Sequence, residues 1–473
     1  MIVSFVAFLL MFTVIGLLSA RKSRGTKHDY YLASSSVSPW LVGLSAVATN
    51  NSGYMFIGVI GYTYMVGLSA IWLMLGWITG DFLASQFVHH RLREQAPKTA
   101  EVSYVGILSS WYGDRHHGQQ RTMGIISLVF LLAYASAQLV AGSKALQVLF
   151  EWPSWAGATL SATLVTLYCF AGGIRASIWT DAAQSSVMIV AMGLLMLAAI
   201  SSLGGLQSVY QEMSQLQGFL DWYPSDLAFP GVAGGILFAV SWMFAGLSVI
   251  GQPHIMVRFM TLKDSRQMNR ARCWYYLWYL AFYAMATGVG MLSRIYLSDT
   301  ASFDAELALP TMALELFPPL LVGLILAGIF AATMSTADSL VLSCSATLTH
   351  DLLPQRVEKT WLMKVVTVLV TLGALIWALG NSQSVFSLVV MAWSGLASAF
   401  APLLLFLCLG KRPTPALSLI AIVGGLGCAM LWRWLGWHQA VYEGMAGILA
   451  GLLILTLGLQ LGYRTQLPES APR

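Results

Sequence analysis

Two clusters of oxygen-bearing side chains interrupt otherwise apolar stretches of this chain. The first is Ala331-Ala332-Thr333-Met334-Ser335-Thr336-Ala337-Asp338-Ser339. On a helix, Ser335, Thr336 and Ser339 lie one, three and four positions apart, so at least two hydroxyls face one point. Asp338 has no basic neighbour in sequence, and a bound cation would keep its carboxylate ionised. The second cluster is Ser45-Ala46-Val47-Ala48-Thr49-Asn50-Asn51-Ser52-Gly53. Two adjacent asparagines inside an apolar stretch are costly unless they face protein, water or an ion. The Ser52-Gly53 step can release helical carbonyls, and freed carbonyls bind hard cations well. Carboxylate, hydroxyl and carbonyl oxygens together suit a hard alkali cation and not a soft metal. Each cluster also has a plainer reading. The second can be a packing seam of small residues, and any single hydroxyl can bond back to its own helix.

A third cluster runs from Gly172 to Gln184 and contains Arg175, Trp179, Thr180 and Asp181. Asp181 and Gln184 share a helical face. They either cap the inner end of a helix, with Thr180 or Asp181 as the N-cap, or project into an inward water path. A fourth is Gly251-Gln252-Pro253-His254-Ile255-Met256-Val257-Arg258-Phe259-Met260. Proline ends or kinks a helix here. The segment after the proline reads as an amphipathic inner helix continued by Lys263 and Asp264, with His254 structural rather than a proton relay.

The elements that position these clusters are membrane spans. Hydrophobic residues make up 57% of the chain and charged ones 10%, too little charge to cover a soluble protein of 473 residues. Apolar stretches of spanning length fall at 2–20, 39–60, 65–88, 122–149, 155–173, 181–203, 230–252, 272–297, 317–346, 361–379, 384–409, 415–435 and 441–462. The first is followed, not preceded, by its positive charges (Arg21, Lys22, Arg24, Lys27), which is a stop-transfer pattern rather than a cleaved signal. With the N-terminus outside, all of the 25 Lys and Arg residues except Lys144, Arg294 and Arg433 fall on the inner side. These include Arg115, Arg356 and Arg473. The outer loop at 298–306 carries Asp299, Asp304 and Glu306 and no base. Thirteen spans then leave the C-terminus inside. Val102 to Tyr112 reads as an interfacial helix on the inner side, and Leu206 to Leu220 as a partly helical outer loop.

The net charge of +5 fits inner loops beside an anionic leaflet and needs no nucleic acid. The five cysteines (169, 273, 344, 408 and 428) lack metal spacing and read as apolar fillers rather than disulfides. An enzyme would want converging acid–base groups, and Asp181, Asp338 and His254 are scattered. There is no phosphate loop, haem motif or large extramembrane domain. A channel would want a pore ring, whereas interrupted helices favour a path through one chain. The expectation is an all-α polytopic membrane protein that moves a small solute by secondary transport. A solute-sensing transceptor is the alternative outside transport. No cofactor beyond a coupling ion and no obligate protein partner is implied.

On these motifs the chain resembles the sodium/solute symporter family and, within it, the bacterial sodium/proline branch, which implies a place in a bacterial inner membrane. The pieces are Asp29-Tyr30-Tyr31-Leu32, Leu44-Ser45-Ala46, Ser52-Gly53, Trp179-Thr180-Asp181 with Gln184, Gly251-Gln252-Pro253-His254-Ile255, Arg258-Phe259-Met260, and Ala331-Ala332 with Met334-Ser335-Thr336. The similarity runs to about residue 460. It implies a LeuT-like 5+5 inverted-repeat core, with repeats at 39–203 and 230–409, an extra helix at 1–20 and two at 415–462. Each repeat would open with a broken helix. It also implies Na+ as coupling ion, held by Ala48 and Asn51 and by Ala332, Ser335 and Thr336. Asp181 matches an acidic position near a second, inner cation region, and Asp338 joins it as a candidate.

The chain departs from that branch where solute and ion meet. The branch has an aspartate at Asn50, an arginine within Ser34-Ser35-Ser36, large rings at Ala245 and Val249, and a tryptophan at Tyr54. Only Tyr134 is retained among the lining aromatics. Loss of the charge at Asn50 makes proton coupling the alternative within transport. Trp242 is the ring at hand to fill the lost volume. The expected solute-binding residues are Asn50, Ser52, Gly53, Tyr54, Tyr134, Trp242, Ala245, Val249 and Ser339. The expected solute is a small amino acid or related carboxylate, with proline one candidate.

Overall fold

The computed structural model describes residues 1–22, 24–113, 116–225, 227, 229–297, 303–353, 357–380 and 384–464. Arg115, Asp299, Arg356 and Arg473, counted in the charge pattern, lie outside the described residues. Apolar stretches fold as helices because a helix satisfies its own backbone hydrogen bonds where water is absent. Regular β-pairing among the described residues is limited to two isolated bridges, Val37 with Leu262 and Pro413 with Arg464.

In chain order the helices are α1 (Ile2–Ala20), α2 (Lys27–Leu32), α3 (Pro39–Gly53), α4 (Ile60–Val66), α5 (Ile71–Thr99), α6 (Tyr104–Ser109), α7 (His117–Phe150), α8 (Ser154–Ser202) and α9 (Leu206–Gln215). They continue as α10 (Gly231–Leu247), α11 (Pro253–Met260), α12 (Met268–Tyr296), α13 (Ala308–Leu316), α14 (Pro319–Ala346), α15 (Thr360–Gly380), α16 (Val385–Cys408), α17 (Pro415–Trp434) and α18 (Glu443–Gln460). Among the described residues, ten helical runs are long and apolar enough to cross a membrane. Several start as their sequences direct. α3, α14 and α17 each have proline in the first turn. Thr414 and Ser384 accept from backbone N–H groups in the first turns of α17 and α16.

α14 and α16 are buried almost all round, while only about a third of the residues of α1, α15 and α17 are buried. Exposed apolar surface on that scale needs lipid as its solvent. The core therefore lies along α14, which packs against α3, α7 and α8, with α5 and α10 paired beside it. The five cysteines are free thiols.

Four expectations are corrected. α8 is not split by an inner loop at 174–180. It runs from Ser154 to Ser202 with one break, at Gly173 (φ 58, ψ −145). A Cβ there would meet the Tyr30 carbonyl at 2.5 Å, so only glycine combines this φ with this closeness. Thr180 and Asp181 consequently sit well inside the helix and cap nothing. Residues 101–111 are buried, so α6 packs into the protein rather than lying at the interface. All eight residues of α11 are buried as well, so it is not amphipathic toward solvent. Finally, Asp338 is not unpaired, because Arg258 lies 3.9 Å from it.

α2 is tied to α8 through Asp29, which accepts from Arg175 Nη2 at 2.5 Å and from Ser34 Oγ at 2.7 Å. Burial opposes ionisation of Asp29. The Arg24 N–H, Arg175 and Ser34 outweigh it and hold the carboxyl below the usual carboxylate range. Arg175 also donates to the Ala33 carbonyl at 2.8 Å, so an arginine from another helix reaches the start of the serine loop.

Candidate functional site

Two helices break inside the bundle. In α3, Ser52 leaves helical geometry (φ 33, ψ −178), and a π-helical turn at Tyr54–Val59 leads into α4. Between α10 and α11, a short 3-10 turn over Ser248–Gly251 and an extended Gln252 interrupt the run before Pro253. The backbone groups released at Ser52 find new partners. Gly53 N–H donates to Gln138 Oε1 at 2.8 Å, and Tyr54 N–H donates to Ser52 Oγ at 3.0 Å. Tyr134 on α7 donates its hydroxyl to the same Ser52 Oγ at 3.2 Å.

α14 meets α3 at the released carbonyls. Ser335 Oγ lies 3.3 Å from the Ala48 carbonyl and 3.1 Å from that of Ala332. Thr336 Oγ1 donates to the Thr49 carbonyl at 2.9 Å. Asn51 donates its amide to the Val47 carbonyl at 2.9 Å, and its Oδ1 is buried with no hydrogen-bond partner. The result is a close group of uncharged oxygens drawn from two helices, with no nitrogen or sulfur ligand among those named. That donor set suits a hard monovalent cation.

One side of this group opens onto a buried charged cluster. Arg258, wholly buried on α11, places Nη2 3.4 Å from Asp181 Oδ2 and 3.9 Å from Asp338 Oδ1. The same nitrogen donates to Ser177 Oγ at 2.6 Å and contacts Ser339 Oγ. Ser45 donates to Asp181 Oδ2 at 2.6 Å, and Ser177 to Asp338 Oδ1 at 2.8 Å. Thr49 and Ser339 hydroxyls, 3.3 Å apart, connect the cluster to the carbonyl group. The cluster sets two carboxyl groups against one guanidinium, and Asp181 Oδ1 and Gln184 Oε1 have no hydrogen-bond partner.

The aromatic lining lies on the other side of the break. Tyr54 packs against Trp77 (5.6 Å) and Phe386 (5.3 Å), and Tyr134 against His254 (5.4 Å) and Trp393 (6.3 Å). The Tyr54 hydroxyl is buried without a partner. Trp393 was not singled out in the sequence, yet its indole N–H donates to the Ala245 carbonyl at 2.9 Å. Its own carbonyl accepts from Gln252 at 2.9 Å, which ties α16 to the second break. The large ring beside Ala245 is thus Trp393 and not Trp242. Trp242 stacks one layer away, on Trp77 (6.4 Å) and Tyr442 (6.2 Å). There it borders a cavity of about 330 Å³ shared with Tyr62, Phe386, Arg433 and Glu443. Asn50 faces neither the carbonyl group nor this lining in its hydrogen bonding; its amide donates to Tyr275 on α12. Gln138, Trp77 and Trp393 are not legible in the sequence because an isolated glutamine or tryptophan in a span carries no pattern of its own.

A bundle with two interrupted helices, ion-type oxygens at one break and a polar-tipped aromatic lining beside it defines a secondary transporter. The chain belongs to the sodium:solute symporter family, which it matches over residues 30–425. It is 30% identical over 485 aligned positions to the sodium/proline symporter of Escherichia coli (strain K12), covering 98% of this chain and 93% of that one. It is 28% identical to the high-affinity proline transporter PutP of Bacillus subtilis (strain 168), with 96% of each chain covered. Its fold superposes on the substrate-bound outward-open state of a Na+-coupled sialic acid symporter with a TM-score of 0.80. That match covers 98% of each chain at 17% sequence identity. The chain is accordingly a sodium-coupled secondary transporter of a small solute, multi-pass in a bacterial inner membrane, and not an enzyme.

Proposed function

We propose that this transporter imports a small amino acid or related carboxylate, proline among the candidates, together with sodium by alternating access. The observation that carries the ion site is the meeting of the Ser335 and Thr336 hydroxyls with the Ala48 and Thr49 carbonyls beside the Ser52 break. Sodium is held there by Ala48, Asn51, Ala332, Ser335 and Thr336. Asp181 and Asp338 beside Arg258 put further oxygens on the inner side of the ion. The solute lies against Tyr54 and Tyr134, with Ser52, Gly53, Ala245 and Val249 around the two breaks and Asn50 behind them, held on Tyr275. Trp242 is on the outer approach, and Ser339 is at the junction with the ion. The tyrosine hydroxyls supply donors for a carboxylate. The relatives named as proline transporters support the substrate class.

In this reading the chain crosses the membrane thirteen times, N-terminus outside and C-terminus inside. Residues 39–203 and 230–409 form two inverted repeats, each opening with one of the broken helices. Residues 1–20 and 415–462 stand outside the repeats. Sodium entering from outside favours the outward-open form, solute binds beside it, and the loaded form opens inward. Each positive charge entering gains about 2.3 kcal/mol per 100 mV of membrane potential.

The test is a melting-point screen of the purified chain against amino acids, organic acids, sugars and nucleobases, in sodium and in potassium buffer. Ligands that bind the folded form raise its melting point by mass action. The expected result is stabilisation by an amino or organic acid, larger in sodium because the two sites are coupled. Stabilisation by sugars or nucleobases alone would overturn the substrate class.

A further inference from the structure

Asp81 lies on α5, wholly buried, and has no part in the ion site or the aromatic lining. Both of its oxygens accept from tyrosines of α12: Oδ2 from Tyr275 at 2.6 Å and Oδ1 from Tyr276 at 3.1 Å. The Tyr275 oxygen in turn accepts from the Asn50 amide of α3, two residues before the break at Ser52. Among the described residues Asp81 takes part in no ion pair. The elements around it bring no counter-charge to its carboxylate. α3 and α10 carry no titratable side chain at all. α12 brings Tyr275, Tyr276 and Tyr279 and, further along, Arg272, which donates to the Ser85 carbonyl at 3.1 Å. α11 brings His254, packed on Tyr134, and Arg258, engaged by Asp181, Ser177 and Ser339. α6 brings Tyr104, bonded to the Ile250 carbonyl at 2.5 Å, and α16 brings Cys408 in its last turn. Along α5 itself the next buried titratable group is His89, stacked on Phe259.

We infer that Asp81 is a proton-binding site whose occupancy is passed to the broken helix α3 through Tyr275 and Asn50. A carboxylate buried without a cation is costly, and a proton is the smallest species that relieves the cost. Among the described residues the hydrogen-bond partners of Asp81 are the two tyrosine hydroxyls, whose hydrogens point at the carboxylate, whereas Ser335 and Thr336 sit among backbone carbonyl oxygens. The two protonation states order the relay in opposite senses. With Asp81 ionised, Tyr275 donates to Asp81 and accepts from Asn50. A proton taken from water onto Oδ2 makes Asp81 the donor to the Tyr275 oxygen. The Tyr275 hydroxyl then turns to Asn50, which must present Oδ1 in place of its amide. One O–H bond forms on Asp81 as one breaks in the hydronium ion that gives up the proton, and α3 feels the change one residue from Asn51.

Loss of the negative charge also weakens the pull on a cation at α3. Sodium affinity should therefore fall as pH falls. The experiment uses the full chain in detergent or liposomes between about pH 5 and 8. Infrared difference spectra follow the C=O stretch of a protonated carboxyl, and sodium-induced melting shifts give the half-saturating sodium concentration. The parent should show a titrating carboxyl band and a half-saturating sodium concentration that rises several-fold at the acid end. Asp81→Asn, which keeps the shape and mimics the protonated state, should lack that band and show weak sodium binding with a flat pH profile. Asp81→Glu should restore both features. A band and pH profile unchanged in Asp81→Asn would overturn the inference, as would a parent without any titrating carboxyl. The second readout rests on the proposed sodium site, but the carboxyl band does not. A band lost in Asp81→Asn while sodium binds elsewhere would therefore fault the sodium site and leave the proton site standing.

Discussion

Alanine at both Ser335 and Thr336 is expected to raise the half-saturating sodium concentration of the purified chain by about a hundredfold. Each hydroxyl offered to a charged partner contributes about 1.5 kcal/mol at the low end of its range, and 1.4 kcal/mol is a factor of ten. Both hydroxyls now rest on carbonyls of α3, so their loss also leaves the Ala48 and Thr49 carbonyls short of a donor. That costs about 1 kcal/mol or somewhat more of stability per group, well short of unfolding. The measurement is the sodium dependence of the melting temperature, with potassium as the control for the fold. The melting point in potassium should fall slightly, while the sodium-dependent rise should require far more salt. A sodium response unchanged from the parent would remove this group of oxygens as the ion site.

Removal of the Arg258 side chain, as Arg258→Ala, should be the most destabilising single change in the core of the molecule. Asp181 and Asp338 would remain buried with no guanidinium between them, and Ser177 and Ser339 would lose a donor. Breaking a buried pair by deleting one partner costs roughly 3–5 kcal/mol, because the remaining charge is uncompensated. Two outcomes separate this account from loss of packing alone. Adding Asp181→Asn and Asp338→Asn to Arg258→Ala should recover much of the lost stability. High sodium should also protect the single variant more than the parent, since a cation can take the place of the guanidinium. Melting of Arg258→Ala at the parent temperature, or no recovery in the triple variant, would show that the cluster does not depend on this charge.

How much of the molecule is legible in the chain depends on the distance over which each signal acts. The break in α3 is local: two asparagines, a serine and a glycine inside an apolar run can hardly continue a helix unnoticed. The hydroxyls of α14 are legible by their spacing, and the pairing of α14 with α3 follows from the family resemblance. Arg258 is different. Its partners lie 77 and 80 positions away, so the sequence shows Asp338 without a base and the fold supplies one. Trp393 reaches the Ala245 carbonyl from a helix far along the chain, and no periodicity announces it. The misread start of the helix carrying Asp181 has a local cause. Gly172-Gly173 with Arg175 resembles a loop, whereas one left-handed glycine suffices and the helix resumes at once. Asp81 escapes notice because a single acid in a span has no spacing to give it away.

The hydroxyls that face the α3 carbonyls also bear on the half of the cycle in which nothing is carried. In the proposed import cycle the transporter must return empty after sodium and solute leave on the inside, and bare carbonyls inside the bundle would hold it back until water filled the gap. Ser335 and Thr336 already donate to the Ala48 and Thr49 carbonyls. If sodium sits at the proposed site, the protein thus supplies its own stand-in for the ion's contacts, and each hydroxyl would need only to rotate its hydrogen away when the next sodium arrives. Resting energy is lowered in the unloaded carrier as well as the loaded one. Where these bonds persist through the return, its barrier would be lower than with bare carbonyls, at the expense of some of the tightness with which sodium could be held.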